Sequence, residues 1–239
     1  MAACLVHSGG SPWWLLTKHI QTRKLDELQE HSIVTTGYDK PYKMSFVVGG
    51  LFLNESMDVA RLHDPSEQWD ATLLRALDEG VTSLPKAASR RRALREIVNR
   101  ISTLNDAELE FFVEMADRTD QQALLWLAVC REYRFVREFA TEVVRERFLS
   151  LQLNLPLESF DTFFAAKAEW NDGLAGISPT TRSKLRQVLY RIMREAGVIT
   201  QDSQIVAGHI SPRLKALVEE YRPPDLLLFT GMHRQGGAA

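Results

Sequence analysis

The chain has few cysteines, few glycines, no long apolar run and no excess of charge of either sign. Its two cysteines, Cys4 and Cys130, lie far apart in 239 residues and fit no metal or redox spacing. The apolar runs at 123–130 and 226–229 fall far short of the roughly 20 residues needed to span a bilayer. No basic stretch leading into an apolar one opens the sequence, so neither secretion nor a membrane anchor is expected, and a reducing cytoplasm is the expected compartment. The 29 Lys and Arg nearly balance the 31 Asp and Glu, so any signal for a polyanionic partner must lie in how charge is distributed. What remains is an ordinary globular composition, 45% apolar and 25% charged, long enough for one large domain or two small ones.

Signals for chemistry are also absent. Gly49-Gly50 stands alone, with no Lys-Ser/Thr behind it to make a phosphate loop. No His-Glu-x-x-His occurs, His63 and His209 have no partner at ligand spacing, and nothing resembles a nucleophile elbow. No enzyme, metal or cofactor is expected.

The pattern from about residue 42 is helical almost throughout, with about nine helices. Helices are expected from about Asn54 to His63, after Ser66 to about Glu79 with Gly80 as the stop, and from Ser89 to Ser102. Asn105 with Glu108 three residues on is a capping-box signature, and Thr119 or Asp120 is expected to cap the helix after it. Further helices are expected at 134–149, 157–169 and 178–196, and a short one from Pro212 capped by Ser211. After Gly197, the β-favouring runs 198–200 and 204–206 predict a small hairpin, the ending of a winged helix-turn-helix. The expected fold is therefore all-α with winged helix-turn-helix-like elements and one β-hairpin near the C-terminus.

Five segments are expected: an extension over 1–41, a helix-turn-helix-like lobe over 42–104, a helical connector over 105–155, a winged lobe over 156–221 and a tail over 222–239. The extension holds Trp13-Trp14 and a short helical pattern over 12–30; the tail is read as peripheral because Pro223-Pro224 stops a helix.

Charge is sorted along this series. Residues 86–100 carry six cations (Lys86, Arg90, Arg91, Arg92, Arg95, Arg100) against Glu96 alone. Residues 178–196 carry five (Arg182, Lys184, Arg186, Arg191, Arg194) against Glu195, whereas 105–120 carries six acids against Arg118. Both basic stretches fall on the second helix of a helix-turn-helix candidate, the helix whose N-terminal residues enter the major groove. Ser89 to Arg92 and Thr180 to Arg182 lie at those N-termini, where free N–H groups and the helix dipole favour phosphate. The same arginines also fit a solvated face, with Arg92–Glu96 as an i,i+4 pair and the acidic helix as an internal counter-charge. The acids of 106–120 read as the solvent side of a helix whose inward residues are Leu109, Phe112 and Val113. Trp126, Tyr133, Phe135 and Phe139 read as core, the alternative being a base-stacking platform; Trp170 fits either a lid or an exposed partner contact.

Several runs are long enough to carry a resemblance: Ser45-Phe46 with Gly49-Gly50-Leu51, Ser89-Arg90-Arg91-Arg92 leading into Leu94-Arg95-Glu96-Ile97, and the run from Ala123 to Arg131. Phe163-Phe164 with Lys167-Ala168-Glu169-Trp170, and Lys184-Leu185-Arg186-Gln187-Val188-Leu189, extend it. Over about 42–218 the chain resembles the BrxA proteins of BREX phage-defence systems. The resemblance implies a mostly helical, non-enzymatic protein that binds double-stranded DNA with little sequence preference. It also implies other BREX components as partners: a methyltransferase, an ATPase and a phosphatase-like protein. The family's basic recognition segment falls on Arg90, Arg91, Arg92 and Arg95. With the residue reading, the expected DNA-contacting set is Lys86, Ser89, Arg90, Arg91, Arg92, Arg95, Thr180, Arg182, Lys184 and Arg186, with Lys86 and Arg191 peripheral. Two rival readings stay open: a scaffold anchored by Trp170 or Trp13-Trp14, and an RNA-binding helical protein similar to transcription antitermination factors.

Overall fold

The computed structural model describes residues 42–81 and 87–232. The extension with Trp13-Trp14, Cys4, Lys86 and the last residues of the tail lie outside them. Helices form where local chemistry starts them: α1 (Leu53–Arg61), α2 (Trp69–Asp78), α3 (Ala87–Ile101), α4 (Asp106–Glu114) and α5 (Arg118–Glu132). α6 (Arg134–Phe139) passes through a π-helical stretch (Ala140–Arg145) into α7 (Glu146–Leu149). α8 (Glu158–Ala168), α9 (Asp172–Ala175), α10 (Pro179–Glu195) and α11 (Pro212–Tyr221) follow, with a 3-10 turn at Pro223–Leu228.

The caps explain most of these boundaries. Asn105 and Glu108 form the expected reciprocal capping box. Ser178 accepts from Thr181 N and Ser211 from Leu214 N, each with proline at the first helical position. Gly80 and Gly197 close α2 and α10 at φ +68° and +72°. Two expected starts move. Asp117, not Thr119 or Asp120, caps α5 by accepting from Asp120 N at 2.9 Å, and Asp120 is buried and accepts from Ser211 N. Ser89 lies inside α3, which is already helical at Ala87.

α5 is apolar on every side from Ala123 to Cys130, so it is stable only when surrounded. α1, α3, α4, α10 and the 3-10 turn all pack against it. Beyond its end, the Phe135 ring sits 5.1 Å from Phe163, 5.7 Å from Phe160 and 5.8 Å from Phe164, a buried edge-to-face cluster that makes these aromatics core. Trp126 is buried too, and its Nε1 donates to the Leu228 carbonyl at 3.1 Å.

The expected hairpin does not form as strands, and the winged ending is not supported. Among the described residues there is no strand; two isolated antiparallel bridges remain, Ile199 with Ile205 and Asn154 with Gln204. Ile199 and Ile205 are buried, so their β-branched side chains serve as pegs into the helical core. Nor is the start of the tail peripheral. Leu226, Leu228 and Phe229 are buried, because the proline pair opens a 3-10 turn that folds back onto α5. Asp225 in that turn accepts from Arg131 Nε at 2.8 Å and from Arg137, while Arg131 also makes a fork to Glu108 at 2.6 and 2.7 Å. Glu108 is therefore not on the solvent side as its helix position suggested; it is a buried partner of α5.

Removing one member of a buried, hydrogen-bonded ion network leaves an uncompensated charge, at a cost of about 3–5 kcal/mol. Asp225→Ala is expected to lower the unfolding free energy by an amount in that range, measured by urea denaturation at neutral pH. A change within about 0.5 kcal/mol, the size usual for surface substitutions, would mean that the turn is not held by Arg131.

Candidate nucleic-acid interface

α3 stands on an internal ion pair. Its inward stripe is Ala93, Leu94, Ile97, Val98 and Ile101, all buried, and packs against α1, α2 and α5. Glu96 and Arg100 fall on the same inward side. Arg100 Nε donates to Glu96 Oε1 at 2.8 Å and Arg100 Nη1 to the Gly50 carbonyl at 2.7 Å, both groups buried. The Tyr133 hydroxyl donates to the same Glu96 oxygen, and the Arg100 guanidinium lies 5.8 Å from the Phe52 ring. Burial, then the Glu96 charge, holds the Tyr133 hydroxyl well above the usual tyrosine range.

The consequence lies on the opposite face. The one carboxylate of α3 is turned inward, so the expected Arg92–Glu96 pair does not form. Arg91, Arg92 and Arg95 are exposed and Arg90 half-exposed, and among the described residues no carboxylate pairs with any of them. Nor, among the described residues, does any acid of α4 form an ion pair with these arginines, and Glu108 is committed to Arg131. Ser89 is exposed beside them, whereas Lys86 lies outside the described residues.

α10 is different. Arg182 Nε donates to Asp161 Oδ1 at 3.0 Å and its Nη2 to the Asp161 carbonyl at 2.6 Å, with the guanidinium 4.8 Å from the Phe164 ring. Arg186 pairs with the other oxygen of the same carboxylate. Arg191 pairs with Glu195 at 2.7 Å. Thr180 and Lys184 alone of the expected α10 set are exposed without a charged partner among the described residues. The two halves of the expected site thus split: four guanidinium groups on α3 with no carboxylate partner among the described residues, and two on α10 that share the one carboxylate of Asp161. Sequence spacing gave no sign of Asp161, which lies 21 residues before Arg182.

Other features bear on partners rather than nucleic acid. Trp170 is 89% exposed, which settles it as a surface side chain and not a lid. Cys130 is buried, and burial pushes its thiol well above the ordinary range. No helix among the described residues is long and apolar enough to cross a membrane.

A model of the BrxA family matches residues 40–221. A protein named BREX protein BrxA from Escherichia coli O9:H4 (strain HS) is 25% identical over 194 residues, covering 79% of this chain and 89% of that protein. Another of the same name, from Bacillus cereus (strain H3081.97), is 24% identical over 125 residues, covering 52% and 62%. The fold is similar to the crystal structure of an uncharacterized protein from Magnetospirillum magneticum, at TM-score 0.65 and 22% identity, covering 80% of this chain and 98% of that one.

The tyrosine environments predict an alkaline limit. Burial and the Glu138 carboxylate push Tyr42 up to about 12, and Tyr133 is raised as well. A raised folded-state pKa stabilises fully below the unfolded value, near 10, and that stability is lost as pH rises above it. Unfolding by urea is therefore expected to become easier from pH 10 upward. Tyr133→Phe should be less stable than the parent at pH 8, by roughly 1.5–3 kcal/mol for the lost bond to a charged group. The same variant should lose less on going to pH 11; an equal alkaline loss in both proteins would remove Tyr133 from this account.

Proposed function

The chain belongs to the BrxA family, and from that premise we propose that it is a non-enzymatic, DNA-binding component of a BREX-type phage-defence system, contacting duplex DNA mainly through phosphates. The observation that carries the reading is the outward face of α3, where Arg91, Arg92 and Arg95 stand exposed with no paired carboxylate among the described residues, and Arg90 is half-exposed in the first turn. Guanidinium groups that already hold an internal partner gain little from a phosphate; free ones gain by releasing condensed counterions. The planar fork of arginine also suits a phosphate oxygen pair better than lysine does. Ser89 and Lys86 extend this segment, and α10 contributes Thr180 and Lys184 directly. Arg182 and Arg186 would join only by exchanging Asp161 for a phosphate. Contacts of this kind fix position and carry little sequence information, so weak sequence preference follows. The partners implied are other BREX components, named by the resemblance as a methyltransferase, an ATPase and a phosphatase-like protein, in the cytoplasm. The lobe boundaries at 42–104, 105–155 and 156–221 are part of the same proposal, with α3 and α10 belonging to different lobes.

A second reading, a scaffold that assembles the defence complex, is favoured by the nearly full exposure of Trp170, since tryptophan is enriched at interface hot spots. The two readings separate in salt, because phosphate binding weakens steeply with ionic strength and apolar docking does not.

The test is duplex-DNA affinity measured across a salt series, with single-stranded RNA as competitor. Replacing Arg90, Arg91 and Arg92 by alanine is expected to weaken binding and to flatten the slope of log K against log salt by up to about three units, at roughly 0.9 per phosphate. Asp161→Asn should tighten binding and steepen the slope by up to about two units. An unchanged slope in the triple variant would overturn the site; preferential displacement by RNA would favour an RNA-binding role.

A further inference from the structure

We propose that the outward stripe of α10 reads base edges in the major groove, with Gln187 on adenine and Lys184 on guanine. The inference rests on the duplex-DNA reading above and adds a modest base preference to the phosphate hold of α3. Its starting point is what α10 leaves outward. Thr180, Lys184 and Gln187 are exposed and Ser183 is half-buried, at steps of three, one and three residues, so the four share one face of the helix. With Pro179 they line one shallow cleft of about 500 Å³. Among the described residues, no hydrogen bond or ion pair engages any of these four side chains.

The chemistry of the stripe says what it fits. The arginines of α10 are engaged elsewhere: Arg182 and Arg186 on Asp161, Arg191 on Glu195, and Arg194 on the Ser203 hydroxyl at 3.3 Å. What remains outward is one ammonium, two hydroxyls and one amide. A phosphate oxygen only accepts, so a surface that holds phosphates needs donors alone, which is what the arginines of α3 supply. The hydroxyl and amide oxygens of Thr180, Ser183 and Gln187 also accept, and a phosphate leaves that capacity unused. Base edges use both. Adenine offers a donor at N6 beside an acceptor at N7, matched by a glutamine amide, and guanine offers O6 and N7 to a lysine. No acid lies on α10 before Glu195, so nothing on the helix itself repels the phosphates that flank a groove.

Shape and rigidity agree with this. The inner side of α10 is fixed by buried Leu185, Val188 and Leu189, and the Tyr190 hydroxyl donates to the Pro156 carbonyl at 2.7 Å. Ser178 caps its start. A stripe held in place in this way loses little conformational entropy on binding. The residues leading into it, Gly173, Ala175 and Gly176, are small and exposed, so a sugar-phosphate strand can come close to the helix start. From Thr180 to Gln187 the helix rises about 10 Å, which spans about three base pairs at 3.4 Å each. A groove about 12 Å wide admits a helix.

The experiment selects duplexes from a randomised library with the full chain at about 0.15 M salt, and then measures affinity for the selected and a scrambled duplex. Enrichment is expected over about three adjacent base pairs that include adenine and guanine, with the selected duplex bound about tenfold tighter, a difference of about 1.4 kcal/mol. Gln187→Ala should erase the enrichment at the adenine position and Lys184→Ala that at the guanine position, a position-by-position loss that general damage to the helix would not give. Alanine at Arg90, Arg91 and Arg92 should weaken binding of both duplexes and keep their ratio. Duplex binding without enrichment, or enrichment that both α10 variants retain, overturns this inference and leaves the phosphate reading standing. Absence of duplex binding overturns both.

Discussion

The buried Glu96–Arg100 pair is the constraint on which the outer surface of α3 depends. A helix with five arginines and one glutamate would ordinarily scatter i,i+4 pairs over its surface. Here the glutamate accepts from Arg100 and from Tyr133, and Arg100 is further tied to the Gly50 carbonyl. Those bonds satisfy both charges in a place where an unpaired one would be costly. They also withdraw from the surface the single anion that α3 could have offered its own cations. The inner pair and the outer free arginines are two results of one registry, because Glu96 and Arg100 are four residues apart and share the stripe of Leu94, Ile97 and Ile101.

That registry is held from outside the helix. Gly50 and Phe52 come from the segment before α1, and Tyr133 from the junction of α5 and α6. Glu195 near the end of α10 accepts from Leu51 N, and its carboxylate fills the space where a Cβ on Gly50 would sit, at 2.2 Å. A side chain at 50 would push the Glu195 carboxylate out of that place, and the loop that anchors Arg100 is itself anchored by α10. On the other side of α5, Arg131 gathers Glu108 and Asp225 into a second buried network that closes the tail over the core. Both ends of the described fold are therefore fastened to α5 and its neighbours by charged groups turned inward.

Local chemistry was legible in the sequence and long-range pairing was not. The capping box at Asn105 and Glu108, the serines at 178 and 211 ahead of prolines, and the glycines after α2 and α10 act within four residues, so the sequence displays them directly. The start of α5 was misplaced because three candidate caps lie within four residues, and the choice fell to Asp117 once Asp120 was drawn inward to Ser211. The pairing of Asp161 with Arg182 and Arg186, and of Asp225 with Arg131 and Arg137, spans 21 to 94 residues and leaves no mark in any window. The proline pair at 223–224 misled for a related reason: proline ends an α-helix, but it also opens a 3-10 turn, and the buried Leu226 and Leu228 decide between the two. The β-favouring runs of 198–206 overstated the hairpin: the chain does reverse there, with Thr200 N donating to the Gln204 carbonyl and Val206 N to the Val198 carbonyl, but the pairing stops at isolated bridges and makes no strand.

The split between α3 and α10 shows why counting cations on a helix is a poor guide to its surface. Both stretches read as equally basic, yet what a polyanion meets is the charge left after internal partners are subtracted. Asp161 does to Arg182 and Arg186 what a phosphate would do, at hydrogen-bond distance and with both oxygens engaged. Those pairs are about one-third exposed, so each is worth little to stability and is open to competition from a denser array of negative charge. The arginines of α3 have no such competitor among the described residues. On the proposed reading, the two helices therefore contribute in sequence of strength: α3 holds a backbone at once, and α10 adds its guanidinium groups only where the local density of phosphate exceeds what one carboxylate can match.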